Sequence, residues 1–214
     1  MSQSRFSVNT TAVKPQQRSR TPLVLIFLLS LAPVVAAVLV YFNPDWRPAG
    51  SVAYGTLVNP QRPIPSVTAL PLQTLDGKSF DLASLKGKWV LVTTDGGACP
   101  DECARKLFIL RNSHASQGKE VERIARIWFI TDDAQIPEKV LDAYKGTIMV
   151  RVKPDFAAKY LLADDTAVTD PAQVAKYMWI IDPLGNLILQ YPEDSDPVKI
   201  RDEITKLLKN SRIG

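Results

Sequence analysis

Lys88-Trp-Val-Leu-Val-Thr-Thr-Asp-Gly-Gly-Ala-Cys99-Pro-Asp-Glu-Cys103 is the stretch whose reading decides the fold. Its first half, Lys88 to Thr94, has the length and apolar content of a buried strand. Gly96 and Gly97 then let the backbone turn sharply and leave the Cys99 sulfur approachable. Pro100 is preorganised for a first helical position, and Asp101 and Glu102 complement the positive end of a helix. The spacing predicts that helix from Pro100 to about Gln117, with Cys103, Leu107, Leu110 and His114 on one face and Gly118 as its stop. Cys99 thus stands at a helix entrance, where free amides and the dipole favour a thiolate. Asp101 and Glu102 oppose that effect, so spacing alone does not fix its ionisation. Cys103 lies four residues on, above Cys99 on the same face, within reach of a disulfide or a shared metal. The expected chemistry is an exposed attacking thiol with a more buried resolving partner. The competing reading is a structural staple, which over so small a loop would stabilise weakly.

Working outward, Leu72 to Leu82 alternates on both sides of Asp76-Gly77, a hairpin signal. Ile124 to Thr131 reads as a second core strand, with Trp128 as a core residue. Pro137 to Lys145 reads as a short helix ended by Gly146, and Thr147 to Val152 as another extended piece. Tyr177–Ile181, which contains Trp179 as core, and Leu187–Tyr191 flank a turn at Asp182-Pro-Leu-Gly185. A last helix has Asp196 as its N-cap, Pro197 at its first position and an apolar stripe of Ile200, Ile204, Leu207 and Leu208. Strand–helix–strand followed by hairpin–helix is the order of a thioredoxin-like α/β architecture, here assigned to residues 72–214.

Before that domain, Leu23 to Phe42 is a run of 20 residues without a charge, about 30 Å as a helix, which matches the hydrocarbon core of a bilayer. Tyr41, Phe42 and Trp46 suit an interfacial aromatic belt, and Lys14, Arg18 and Arg20 precede the run, whereas only Arg47 closely follows it. The positive-inside rule therefore keeps residues 1–22 as a cytoplasmic tail and puts the domain across the membrane. Val35-Ala36-Ala37 is a poor cleavage site and the apolar run continues past it, which favours an uncleaved anchor over a signal peptide. The Arg-bearing, acid-free start also suits a mitochondrial targeting peptide but is short for one. The expectation is a single-pass protein of a bacterial inner membrane with its domain in the periplasm, where disulfides persist. Residues 43–71 hold six prolines and are expected to be an extended spacer. Residues 1–50 carry five Lys/Arg and one acid, while the remainder carries 21 of each sign. The basic pI belongs to the tail, and a neutral domain gives no electrostatic reason to expect nucleic acid.

The Cys99-Pro-Asp-Glu-Cys103 turn resembles that of the Sco/SenC family, thioredoxin-like copper and thiol proteins that assist cytochrome c oxidase assembly. Leu75 to Val92, Trp128 to Pro137 and Tyr177 to Gly185 resemble that family's lead-in, its second strand with the acidic loop, and its late strand and turn, so the likeness runs over roughly residues 70–208. It implies Cys99 and Cys103 as redox-active and metal-binding residues, copper as Cu(I) for the metal, and an exported client such as an oxidase subunit whose copper-ligand thiols must stay reduced. One departure is plain: the family's copper histidine falls near Val174 or Ala175, and neither is histidine. His114 follows Cys103 by eleven residues, about 16 Å of helical rise, too far to share a metal. Met149 and Met178 are soft sulfur atoms suited to Cu(I), although core packing explains both. Gly96 replaces the Thr or Ser of peroxiredoxin-type sites, and no Cys-x-x-Cys is present. Three functions follow: a thiol-disulfide oxidoreductase or metallochaperone-like assembly factor, a non-catalytic scaffold that has lost the copper site, and a Cu(I) carrier using two thiolates and a methionine.

Overall fold

A computed structural model describes residues 20–43, 46, 53–162 and 171–214. The expected cytoplasmic tail lies, apart from its last residues, outside the described residues, as does much of the first part of the expected spacer. Two compact units are present, Met1–Gly50 and Ser51–Gly214. In the first, helix α1 (Thr21–Phe42) starts two residues before the charge-free run and keeps Pro33 inside it. Its 22 residues make it, among the described residues, the one helix long and apolar enough to cross a membrane.

The second unit is built on one eight-stranded mixed sheet. Its strands are β1 (Thr56–Pro63), β2 (Leu72–Thr74), β3 (Ser79–Phe80), β4 (Trp89–Asp95), β5 (Ile124–Ile130), β6 (Ile148–Arg151), β7 (Tyr177–Ile181) and β8 (Asn186–Pro192). They lie in the order β1-β8-β7-β4-β5-β6-β2-β3. β4, β5 and β6 are parallel, and the flanking pairs are antiparallel. The parallel strands take their crossovers through α2 (Asp101–Ala115) and α3 (Glu138–Ala143), as parallel pairing requires. A helix absent from the sequence reading, α4 (Pro154–Leu161), follows β6, and α5 (Pro197–Asn210) closes the chain with Asp196 accepting from the Val198 amide at 2.8 Å.

Period-two alternation sorts the strand residues between two faces. Val90, Val92, Ile127, Phe129, Trp179 and Ile181 pack with Ala157, Tyr160 and Leu161 of α4. Trp89, Leu91, Met178 and Ile180 face the other way, against Ile109 and Leu110 of α2 and Ile200, Ile204 and Leu208 of α5. Both Trp128 and Trp179 are buried core, as expected.

The expected spacer needs correction. Thr56–Pro63 pairs antiparallel with β8 and makes the edge of the sheet, so part of residues 43–71 belongs to the folded unit. Prolines are tolerated there because an edge strand has one row of amides that need no partner. The chain is fastened just ahead of this strand. The Glu203 carboxylate accepts from the Tyr54 amide at 2.8 Å, the Gly55 amide at 2.9 Å and the Tyr191 hydroxyl at 2.6 Å. Glu203 is buried, and these donors replace the water it gives up.

Candidate functional site

The cysteine turn sits at the carboxyl end of β4, beside the carboxyl end of β5, the edge of an open α/β sheet at which ligands ordinarily bind. Cys99 takes the left-handed conformation with φ 47°, and its amide donates to the Gly96 carbonyl at 3.2 Å. That conformation is unfavourable for a residue with a Cβ, and such strain collects where the surroundings fix the backbone. Pro100 caps the helix rather than entering it, and α2 begins at Asp101. One turn later Cys103 comes over Cys99, and the two form a disulfide with S–S 2.06 Å and Cα–Cα 5.0 Å.

Two features of the turn differ from expectation. Cys99 was expected to be exposed, yet it retains only 9% of its accessible surface, against 1% for Cys103. The pair lies in an apolar cluster with Leu107, Trp128, Ile130, Ile136, Val140 and Tyr144. Ile136, Val140 and Tyr144 recur every four residues, so the segment bearing α3 turns one stripe onto the sulfurs. Tyr144 also donates its hydroxyl to the Ala104 carbonyl at 3.0 Å, fastening that segment to α2. The glycines also serve another purpose than assumed. A Cβ on Gly96 would meet Asp132 Oδ2 at 2.5 Å, and one on Gly97 would meet the Ala134 carbonyl oxygen at 2.4 Å. Neither has a positive φ; they are glycines because the loop after β5 approaches too closely for a side chain. The Asp132 carboxylate accepts from the Gly97 amide at 2.7 Å and the Ala134 amide at 3.1 Å, and Arg151 donates to the carbonyls of Asp132 and Ala134. Asp132 also lines an open groove of about 530 Å³ with Gln73, Thr131, Arg151 and Phe156.

Three residues after Cys103 on α2 stands a residue that the sequence reading passed over. Lys106, with 1% of its side chain accessible, has its ammonium 2.8 Å from Asp95 Oδ2. It also donates to the Thr94 carbonyl at 2.8 Å and to the Ala175 carbonyl. The other oxygen of Asp95 accepts from the Gly96 amide at 2.9 Å. A signal was available: Lys106 falls inside the stripe 103, 106, 107, 110, where an amphipathic helix has apolar residues.

The donors around the turn do not make up the Sco/SenC copper centre of two cysteines and a histidine. Among the described residues no group of three or more His, Cys, Asp or Glu could hold a metal. Ala175, where the histidine would fall, has its carbonyl on the Lys106 ammonium, and a fixed cation there opposes a second one. His114 is half-buried on α2, and its pKa is lowered by burial and then by the Arg126 charge. Met178 packs between the sheet and the α2–α5 face, while Met149 touches the cysteine cluster as a partly buried neighbour.

Comparison with known proteins agrees with this geometry. A family model described as "Transmembrane-like, thioredoxin-like, C-terminal domain" matches residues 89–211. No curated protein matches the chain in sequence. Among solved structures, a candidate electron transfer protein from Aquifex aeolicus VF5 superposes with TM-score 0.51 at 17% identity, covering 71% of this chain and 95% of its own. A thiol:disulfide interchange protein from Bacteroides sp. gives 0.50 at 16% identity, covering 71% and 91%. Yeast Sco1 with copper bound gives 0.49 at 17% identity, covering 76% and 96%. At these identities the first two likenesses show the fold alone.

Proposed function

Because the chain belongs to the transmembrane-like, thioredoxin-like family, we propose that it is a membrane-anchored thiol–disulfide exchange factor whose working pair is Cys99 and Cys103. The observation that carries this reading is the disulfide itself: it bridges a sharply turned, left-handed residue at a helix entrance to the first turn of that helix, beside the carboxyl edge of the sheet. A bridge over so short a loop adds little stability, so its position argues for chemistry. In the reduced protein the Cys99 thiolate attacks a client disulfide, one client sulfur leaves as a thiolate and takes a proton, and a mixed disulfide results. Cys103 then attacks Cys99, releasing the second client sulfur as a thiol and closing Cys99–Cys103. Two electrons pass to the client, and a reducing dithiol must restore the pair. The groove that starts at Asp132 gives an extended client segment room beside the turn.

The resemblance of the cysteine turn and its flanking strands to Sco/SenC sequences supports an exported oxidase subunit with copper-ligand thiols as the client. The charge asymmetry around α1 supports a domain on the side of the membrane away from the cytoplasm, which in a bacterial inner membrane is the periplasm. Copper has no step in this mechanism, given the donor set. A scaffold function is the second reading, and the burial of both sulfurs favours it.

The test is a pair of trapping variants in cells. Cys103→Ser removes the resolving thiol and should accumulate mixed disulfides with client proteins, whereas Cys99→Ser should accumulate few. If neither variant captures a partner and both lower stability alike and modestly, the bridge is a staple and the scaffold reading takes its place.

A further inference from the structure

Lys106 is, among the described residues, the only buried lysine, and neither step of the exchange reaction calls on it. Taking an ammonium out of water is costly, and pairs of this kind often add no net stability over apolar substitutes. Its partners define what it does. Through Thr94 and Asp95 it holds the end of β4 that leads into the cysteine turn, and through Ala175 it holds the segment before β7. It rides on α2 three residues after Cys103, so the two side chains leave the same helical face as neighbours.

We infer that Lys106 is a positioning residue for the exchange reaction, which holds the turn and stabilises the negative charge that Cys103 carries whenever the disulfide is opened. The inference rests on the exchange function proposed above. When a reducing thiolate attacks Cys99 Sγ, the Cys99–Cys103 bond breaks, its electron pair goes to Cys103 Sγ, and a new bond joins Cys99 to the attacking sulfur. A poor leaving group slows that step, and a nearby fixed positive charge improves it. The same charge supports Cys103 as the attacking thiolate in the reverse direction. Asp95 opposes Lys106, but unequally: 13% of its side chain is accessible against 1% for the lysine, so water screens the carboxylate more. The remaining acids near the turn, Asp101 and Glu102 on α2, Asp132 and Asp133 after β5, and Glu138 on α3, are all exposed and screened further, as are Arg105 on α2 and Lys176 beside Ala175, while Arg151, bonded to the Asp132 loop, is half-buried.

The test measures how fast reduced glutathione opens the disulfide in the full chain held in detergent. Lys106→Met should slow opening about tenfold, and Asp95→Asn, which leaves the ammonium unopposed, should speed it severalfold. Lys106→Arg should stay within about threefold of the parent protein. A purely structural role predicts otherwise: both sides of the pair would loosen the turn and move the rate in one direction, or leave it alone. Either result overturns the inference, and Asp95→Asn decides by itself if Lys106→Met does not fold, since only acceleration supports the proposal. A parent disulfide that glutathione does not open in the folded chain would remove the exchange function itself. Exchange by the parent with unmoved variant rates removes only the part given to Lys106.

Discussion

Two carboxylates are drawn into this domain, and the structure treats them differently. Asp95, at the end of β4, answers a buried ammonium with one oxygen and the Gly96 amide with the other. Glu203, on α5, meets no cation among the described residues; two backbone amides and a phenol satisfy it. Neutral donors hold a chain in place and leave the net charge where it was. A charged pair with unequal screening leaves a field in its surroundings, which under the proposed exchange function serves a bond that must break with charge development. On that proposal, burial of a charge is a matter of shape at the amino-terminal clamp, and of shape and reactivity together at the cysteine turn.

The sharpest way to break that contrast is at the clamp. Glu203→Ala strands two buried donors and a half-buried one and should lower unfolding free energy by about 3 kcal/mol, read by denaturant titration, while disulfide opening by glutathione stays at the parent rate. A changed opening rate would show that the clamp is coupled to the turn. Next in size is Gly97→Ala, whose Cβ would press on the Ala134 carbonyl oxygen. It should cost about 2 kcal/mol and alter the opening rate as well, because the displaced loop borders the cysteines. Tyr191→Phe removes one donor from Glu203 and should cost about 1 kcal/mol, without effect on exchange.

The smallest effect lies in alkaline solution. The Tyr191 phenol is pushed above its usual range, first by burial and then by its hydrogen bond to Glu203 and that residue's charge. The folded chain thus keeps this proton where the unfolded chain has lost it. Stability is full below the ordinary phenol range near pH 10 and falls as the pH rises beyond it. Burial raises Tyr160 in the same direction. Tyr191→Phe should flatten part of the alkaline decline and leave the share owed to Tyr160, measurable as the melting temperature between about pH 9 and pH 11.

Much of this molecule was legible without coordinates, and particular residues show why. The hairpin at Asp76-Gly77, the strands at Trp89 and Ile124, and the Asp196 cap of α5 all answer to local rules, since turn chemistry, alternation and capping act within a few residues. The placement of Cys99 between strand and helix, and of Cys103 in the first turn of that helix, followed from the same rules. Where reading failed, a distant partner was the cause. Thr56–Pro63 is rich in proline and polar residues and becomes a strand only because β8 offers it an edge. Gly96 and Gly97 read as turn formers, but the loop carrying Asp132, some thirty-five residues on, is what excludes their side chains.

What the sequence by itself determined was the apolar helix, the thioredoxin-like order of elements and the site of the cysteine pair. Each is written in periodicity, caps and breakers that one short window contains. Only the tertiary structure decided that Cys99 is covered by the Ile136–Tyr144 stripe, that Lys106 turns inward to meet Asp95 and Ala175, and that Glu203 grips the chain at Tyr54 and Gly55. The physical reason is distance along the chain. The Lys106–Ala175 and Gly55–Glu203 bonds join residues 69 and 148 positions apart. Whether a lysine on an apolar stripe or a glutamate on a helix is a solvated surface group or a buried strut depends on what the rest of the chain brings against it.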